Sequence, residues 1–127
     1  MYKNNKNSSL VKISPATKTG AHHWLMQKIS AIALIPLVIW LILSLSQIIQ
    51  DPQNYMPVFF AYPMNAFMGI LFIAASLYHG SIGMKVVIED YIGCKIKRHF
   101  YIMLINFLSI VTATASILAI IRLHLIG

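Results

Sequence analysis

Charge is nearly absent from most of this chain, and that limits the folds open to it. Between Lys28 and Lys85 the only formally charged side chain is Asp51, and from His99 to Ile121 there is none. Three apolar segments result, over about residues 29–49, 62–88 and 100–121. Each is long enough to cross a bilayer, which takes roughly 20 residues. In hydrocarbon the backbone has to satisfy its own hydrogen bonds, so each segment is predicted to be helical, and its many Ile and Val residues do not argue for strands. The expected fold class is therefore an all-α membrane protein with three transmembrane helices.

The whole chain, 127 residues, reads as a single membrane domain preceded by a polar tail over residues 1–19. Only 10% of its residues are charged, where a soluble domain carries about a quarter. The tail contains no apolar core of the kind a cleaved secretory signal needs, so it reads as retained. Its lysines and lack of acids also suit an organelle transit peptide, although such peptides favour Arg and this tail has none. Pro36 is placed to bend the first helix. Pro52 and Pro57 suit a loop over Gln50–Ala61, and Pro63 suits the start of the second helix, where a missing N–H does little harm.

The basic residues set an orientation. Lys3, Lys6, Lys12, Lys18 and Lys28 precede or open the first span, and Lys85, Lys95, Lys97 and Arg98 lie at or after the end of the second. The Gln50–Ala61 connection has no Lys or Arg, and the C-terminal end has only Arg122. By the excess of Lys and Arg in cytoplasmic segments, the N-terminus is expected inside and the C-terminus outside. The net charge of +7 therefore reads as membrane topology rather than as a nucleic-acid surface. Three helices also leave no pair of inverted halves, the usual mark of a transporter. The single cysteine, Cys94, excludes an internal disulfide and a Cys-x-x-Cys metal or iron–sulfur motif.

The residues with chemical potential cluster at the end of the second span, in Leu77-Tyr-His-Gly-Ser-Ile-Gly-Met-Lys-Val-Val-Ile-Glu-Asp-Tyr-Ile92. At 100° per residue His79, Gly83, Val86 and Asp90 share a face, with Asp90 about 16 Å further along the axis. His79 falls near the middle of the hydrocarbon, about 13 Å from the inner end of its helix. An ionisable residue there marks a functional site by default, and the plain alternative is a neutral histidine bonded to a neighbouring helix. Gly80 and Gly83 flank it and would leave a shallow bay for a flat macrocycle, or else serve close helix packing. A six-coordinate haem b needs a second axial ligand at the same depth. His22, His23, His99 and His124 lie at span ends, so that ligand would come from another chain.

Asp90 and Tyr91 sit where the second span meets the inner surface. A tyrosine hydroxyl beside a carboxylate suits a quinone headgroup, which needs a donor at its carbonyl and a proton route. The ordinary alternative is an interfacial aromatic anchor next to a solvated charge. Ahead of the first span, Gly20-Ala-His-His-Trp-Leu-Met-Gln-Lys-Ile-Ser-Ala31 offers Lys28 and Ser30 to haem propionates or a quinone pocket. Lys28 alone would otherwise be a snorkelling cation. The adjacent His22 and His23 lack the carboxylate or cysteine company of a metal site.

Taken together, these two stretches resemble the hydrophobic membrane-anchor subunit of succinate dehydrogenase. That family shows a Gly-x-x-His approach to the first helix, a basic residue and Thr/Ser-Ala, then His-x-x-x-Gly and Asp-Tyr. Here they are Gly20 and His23 with His22 adjacent, Lys28, Ser30-Ala31, His79-x-x-x-Gly83 and Asp90-Tyr91, in that order. The resemblance covers the first two helices and their inner ends. It implies that His79 is one axial ligand of a haem b shared with a cytochrome b subunit, with Gly83 against the macrocycle. It also implies that Tyr91 bonds the ubiquinone headgroup with Asp90 in support, and that His22, His23 and Lys28 lie near the propionates. Lys28 stands where the family usually has Arg and cannot make the bidentate contact Arg makes.

The flavin, the iron–sulfur clusters and succinate oxidation would belong to a flavoprotein subunit and an iron–sulfur subunit, so this chain would anchor an oxidoreductase rather than hold its catalytic core. The sister cytochrome b subunit would show Arg-His where this chain has Lys85-Val86. The bacterial inner membrane is the expected location, with the mitochondrial inner membrane as the alternative. Two other functions stay open on the residues alone: a cofactor-free three-helix scaffold or assembly protein, and a haem-bearing homodimer with paired His79 residues. Nothing in the residues separates succinate oxidation from fumarate reduction.

Overall fold

A computed structural model describes the backbone of residues 15–126, with side chains from Gly20 onward. It contains four helices: α1 (Pro15–Ile48), α2 (Pro52–Ala61), α3 (Pro63–Tyr91) and α4 (Lys95–Ile126). Three of these, α1, α3 and α4, are long and apolar enough to cross a membrane. The expected all-α architecture with three spans is therefore what the chain adopts.

Helix α3 is central. It packs on α1 along one side and on α4 along the other, whereas α1 and α4 do not pack together among the described residues. Both pairs run antiparallel: Gln27 and Ser30 of α1 meet Gly83 and His79 of α3, and Ile120 of α4 meets Gly69 of α3. Gly69 makes that second seam close. A Cβ there would stand 3.0 Å from the Phe60 ring and 3.2 Å from Ile120 Cδ1, so the bare backbone is what lets α2 and α4 approach α3.

Few side chains are enclosed. Leu37, Ile48, Ala66, Ile82, Ile88 and Ile120 form the apolar interior, with Ser30 and Ser44 buried among them. Ile32, Leu43, Phe107 and Ile110 are each between 64% and 67% exposed, which a water-facing surface tolerates only in small patches. Lipid is the solvent that suits them. Hydroxyls within the spans fold back on their own helices, Ser44 donating to Trp40 O, Ser76 to Ile73 O and Thr114 to Ile110 O, which satisfies them without water.

The connection expected as a loop over Gln50–Ala61 is instead mostly helix α2. Pro52 occupies its first turn, where the ring costs no hydrogen bond, and Asp51 precedes it, its carbonyl accepting from Tyr55 N–H at 2.9 Å and its carboxylate from Asn54 Nδ2 at 2.7 Å. Pro57 lies inside the helix. The helix is held from outside: the Phe59 ring packs at a tilt against Trp40 of α1, Asn65 Nδ2 donates to Phe59 O at 3.0 Å, and His124 Nδ1 donates to Phe60 O at 2.9 Å. Tertiary contacts thus override a proline-rich local sequence, and they fasten α2 across the ends of α3 and α4.

At the opposite, basic end the helices run further than the apolar segments. Helix α1 begins 14 residues ahead of the expected Ile29, at Pro15, because Ala16, Ala21, Leu25, Met26 and Gln27 favour helix beyond the membrane edge. Residues 15–19 of the expected polar tail are therefore helical, and residues 1–14 lie outside the described residues. Helix α3 stops at Tyr91, with Ile92 extended and its N–H bonded to Ile88 O. Arg98 N–H bonds Cys94 O to open α4. Pro36 sits inside α1, which continues through it.

Candidate functional site

His79 lies inside α3, about 18 Å along the axis from Tyr91 at its last turn. The imidazole is partly buried. Its Nδ1 is 3.0 Å from Ser30 Oγ of α1, and Ser30 Oγ is also 2.9 Å from the Gln27 carbonyl. Among the described residues Nε2 has no hydrogen-bond partner. The plain alternative of a histidine tied to a neighbouring helix is thus true of one nitrogen, and the other stays open.

Toward the basic end the α1–α3 seam widens into a cavity of about 550 Å³. Gly20, His23, Trp24 and Gln27 line it from α1, and Ile82, Gly83, Lys85, Val86 and Glu89 line it from α3. Its nearest α3 residues to His79, Ile82 and Gly83, lie about one helical turn away. Gln27 Oε1 is buried without a hydrogen-bond partner, which costs about 1–3 kcal/mol. Gly83 shapes the seam, because Gln27 Nε2 lies 3.4 Å from where its Cβ would be.

Of the residues expected at a site, His23 and Gly83 line this cavity. His22 packs edge-on against His23, ring centroids 6.4 Å apart. Lys28 reaches the cavity wall indirectly, its Nζ lying 4.0 Å above the Trp24 ring, a favourable cation–π placement. Gly80 does not share the cavity with Gly83: nothing stands within 4 Å of its Cβ position, and it borders a groove toward Ile105, Leu108 and Ser109 of α4. The two glycines therefore open on different seams, not on one bay around His79. Asp90 and Tyr91 are exposed at the end of α3, Tyr91 by 85%, beyond the cavity, whose last α3 residue is Glu89.

Two residues of the seam, Gln27 and Glu89, escape a reading of the sequence, and a third, Ser30, has a different partner from the one expected. Ser30 is expected to face propionates or a quinone pocket but contacts His79 itself. Gln27 and Glu89 stand beside the more conspicuous Lys28 and Asp90, and only the helix register shows that they, and not those neighbours, face the cavity.

Residues 2–121 match the model of the succinate dehydrogenase/fumarate reductase transmembrane subunit family. The chain belongs to that family. Within it, the similar proteins are membrane anchors of succinate dehydrogenase. The hydrophobic membrane anchor subunit from Rickettsia typhi is 37% identical over 109 residues, covering 86% of this chain and 87% of the relative. The one from Rickettsia bellii is 36% identical over the same length and share. The succinate dehydrogenase membrane anchor subunit of Reclinomonas americana is 30% identical over 97 residues, or 74% of this chain and 81% of its own. No solved structure matches the chain significantly. As a membrane anchor of succinate dehydrogenase, the chain has its task in the bilayer, where the α1–α3 seam holds His79, Ser30 and Gln27.

Proposed function

We propose that this anchor subunit holds one haem b through His79, shared with a cytochrome b subunit, and that its basic end forms part of the site where ubiquinone is reduced. The observation that carries the reading is the state of His79: within a membrane-spanning helix, one nitrogen tied to Ser30 and the other free, beside a cavity at the same seam.

The donor set fits such a group. An imidazole nitrogen is a ligand for haem iron, and the cavity brings His23 and Lys85, both able to donate hydrogen bonds, to the side where carboxylate-bearing substituents would need donors. A second imidazole is not available from this chain: among the described histidines, His22 and His23 lie toward the start of α1, His99 opens α4, and His124 is engaged by Phe60 O at the far end. The second ligand then comes from the partner subunit. Bound here, the group would supply a one-electron redox centre.

The remaining work belongs to protein side chains. Tyr91, exposed at the end of α3, donates its hydroxyl proton in a hydrogen bond to a quinone carbonyl, and Asp90 beside it accepts protons from the aqueous phase and passes them on. Exposure suits this role because the headgroup pocket is completed by the partner subunits. A peripheral iron–sulfur subunit delivers the electrons and a flavoprotein subunit oxidises succinate. The N-terminus and the Ile92–Cys94 turn face the inside and the C-terminus the outside, in a bacterial inner membrane as the Rickettsia relatives suggest.

Purification through a tag on this chain tests the reading. A flavoprotein, an iron–sulfur protein and a haem b α-band in the dithionite-reduced minus oxidised spectrum are expected together. A haem-free chain that purifies alone from gently solubilised membranes would overturn it.

A further inference from the structure

We infer that Ser30 is a positioning residue that fixes the tautomer and ring orientation of His79, accepting from Nδ1–H so that the proton stays on Nδ1 and the Nε2 lone pair is left for iron. This rests on the reading of His79 as an axial ligand. The argument is one of proton counting. Ser30 Oγ lies 2.9 Å from the Gln27 carbonyl and 3.0 Å from His79 Nδ1, and a hydroxyl has one proton to donate. A carbonyl oxygen only accepts. Both contacts are hydrogen bonds at once only if Ser30 donates to Gln27 O and His79 Nδ1–H donates to Ser30 Oγ.

The opposite arrangement, Ser30 donating to a bare Nδ1, leaves two oxygen lone pairs facing each other 2.9 Å apart. Ser30 is only 7% exposed, so no water is at hand to compensate, and a buried polar group left unsatisfied is destabilising. The two-bond arrangement is favoured, and it places the imidazole lone pair on Nε2, the nitrogen without a protein partner.

Ser30 differs in this from the other span hydroxyls described above, which bond only to their own helices. It alone among the described hydroxyls also reaches a side chain of another helix, so the rotation of the His79 ring is set from α1. Histidines that bind metals usually hold their second N–H in this way, and the acceptor raises the donor strength of the ligating nitrogen. The Ser30 rotamer is set in turn by Gln27 O, whose side chain packs beside Gly83.

The experiment compares Ser30→Ala, Ser30→Thr and His79→Ala in the assembled complex purified through this chain, measuring haem per flavoprotein, its loss on dilution and the haem midpoint potential. Loss of a positioning partner typically weakens metal binding by roughly 10–100-fold. Ser30→Ala is expected to release haem on dilution to that extent, and the fraction retained should show a raised midpoint potential. Ser30→Thr, which keeps the hydroxyl, should stay close to the parent on both counts. If Ser30→Ala keeps haem, affinity and potential unchanged while His79→Ala loses haem, the positioning role is wrong and the ligand assignment stands. If His79→Ala keeps its haem, the ligand assignment falls and this inference falls with it. Should Ser30→Ala fail to assemble, ¹⁵N NMR of the haem-free, ¹⁵N-histidine-labelled full chain decides: Nδ1–H at His79 supports the inference, and Nε2–H overturns it.

Discussion

The side-chain amide of Gln27 takes the space that a side chain on Gly83 would claim, with Nε2 3.4 Å from the point where a Cβ would stand. That spacing is ordinary van der Waals contact, so Gly83→Ala should fold and keep its haem. A Gly83→Leu side chain has to displace Gln27 or fill the cavity. Overpacking of this kind costs about 1–3 kcal/mol, on the order of tenfold to a hundredfold in affinity. Haem content of the two variant complexes checks this, and equal content in both would show that the cavity at this seam is not used.

Gly69 and Gly80 should respond oppositely to the same substitution. A Cβ at Gly69 meets Phe60 at 3.0 Å and Ile120 at 3.2 Å, and a Cβ at Gly80 meets nothing within 4 Å. Gly69→Ala is expected to destabilise the chain by about 1–3 kcal/mol, and Gly80→Ala to leave it unchanged or gain up to roughly 1 kcal/mol of helix propensity. Thermal unfolding of the full chain in detergent, followed by circular dichroism, measures both.

Much of this was legible in the sequence and some was not. The three spans follow from the distribution of charge, because in hydrocarbon an uncharged apolar run of about 20 residues has essentially one outcome. Helix α2 was hidden because Pro52 and Pro57 argue locally for a loop, while contacts that hold it come from Trp40 and His124, far away in sequence, together with Asn65 just beyond its end. His79 stands out as an ionisable residue in a membrane segment. Its pairing with Ser30 does not, since 49 positions separate them and only the packing register of α1 on α3 sets them opposite each other.

Cys94 gives a direct test of orientation. It is an exposed thiol on the short turn between α3 and α4, and it is the only cysteine in the chain. With the basic end inside, a membrane-impermeant maleimide should label it in inverted vesicles and leave it unlabelled in intact spheroplasts. Labelling only from the outside would reverse the topology.

Tyr91 is 85% exposed at the last turn of α3, so its substitution should leave the helices undisturbed. Tyr91→Phe removes the hydroxyl alone. The complex should keep its haem and its succinate oxidation with an artificial acceptor, and lose quinone-reductase turnover by about tenfold, the equivalent of one hydrogen bond of ~1.4 kcal/mol. Unchanged quinone reduction would remove Tyr91 from the site.

The most direct test of the central claim is the reduced minus oxidised visible spectrum of the intact complex carrying His79→Ala, beside that of the parent complex. The account predicts a haem b α-band in the parent and its loss or marked weakening in the variant, with the flavoprotein and iron–sulfur subunits still attached. An undiminished band in a fully assembled His79→Ala complex would contradict it.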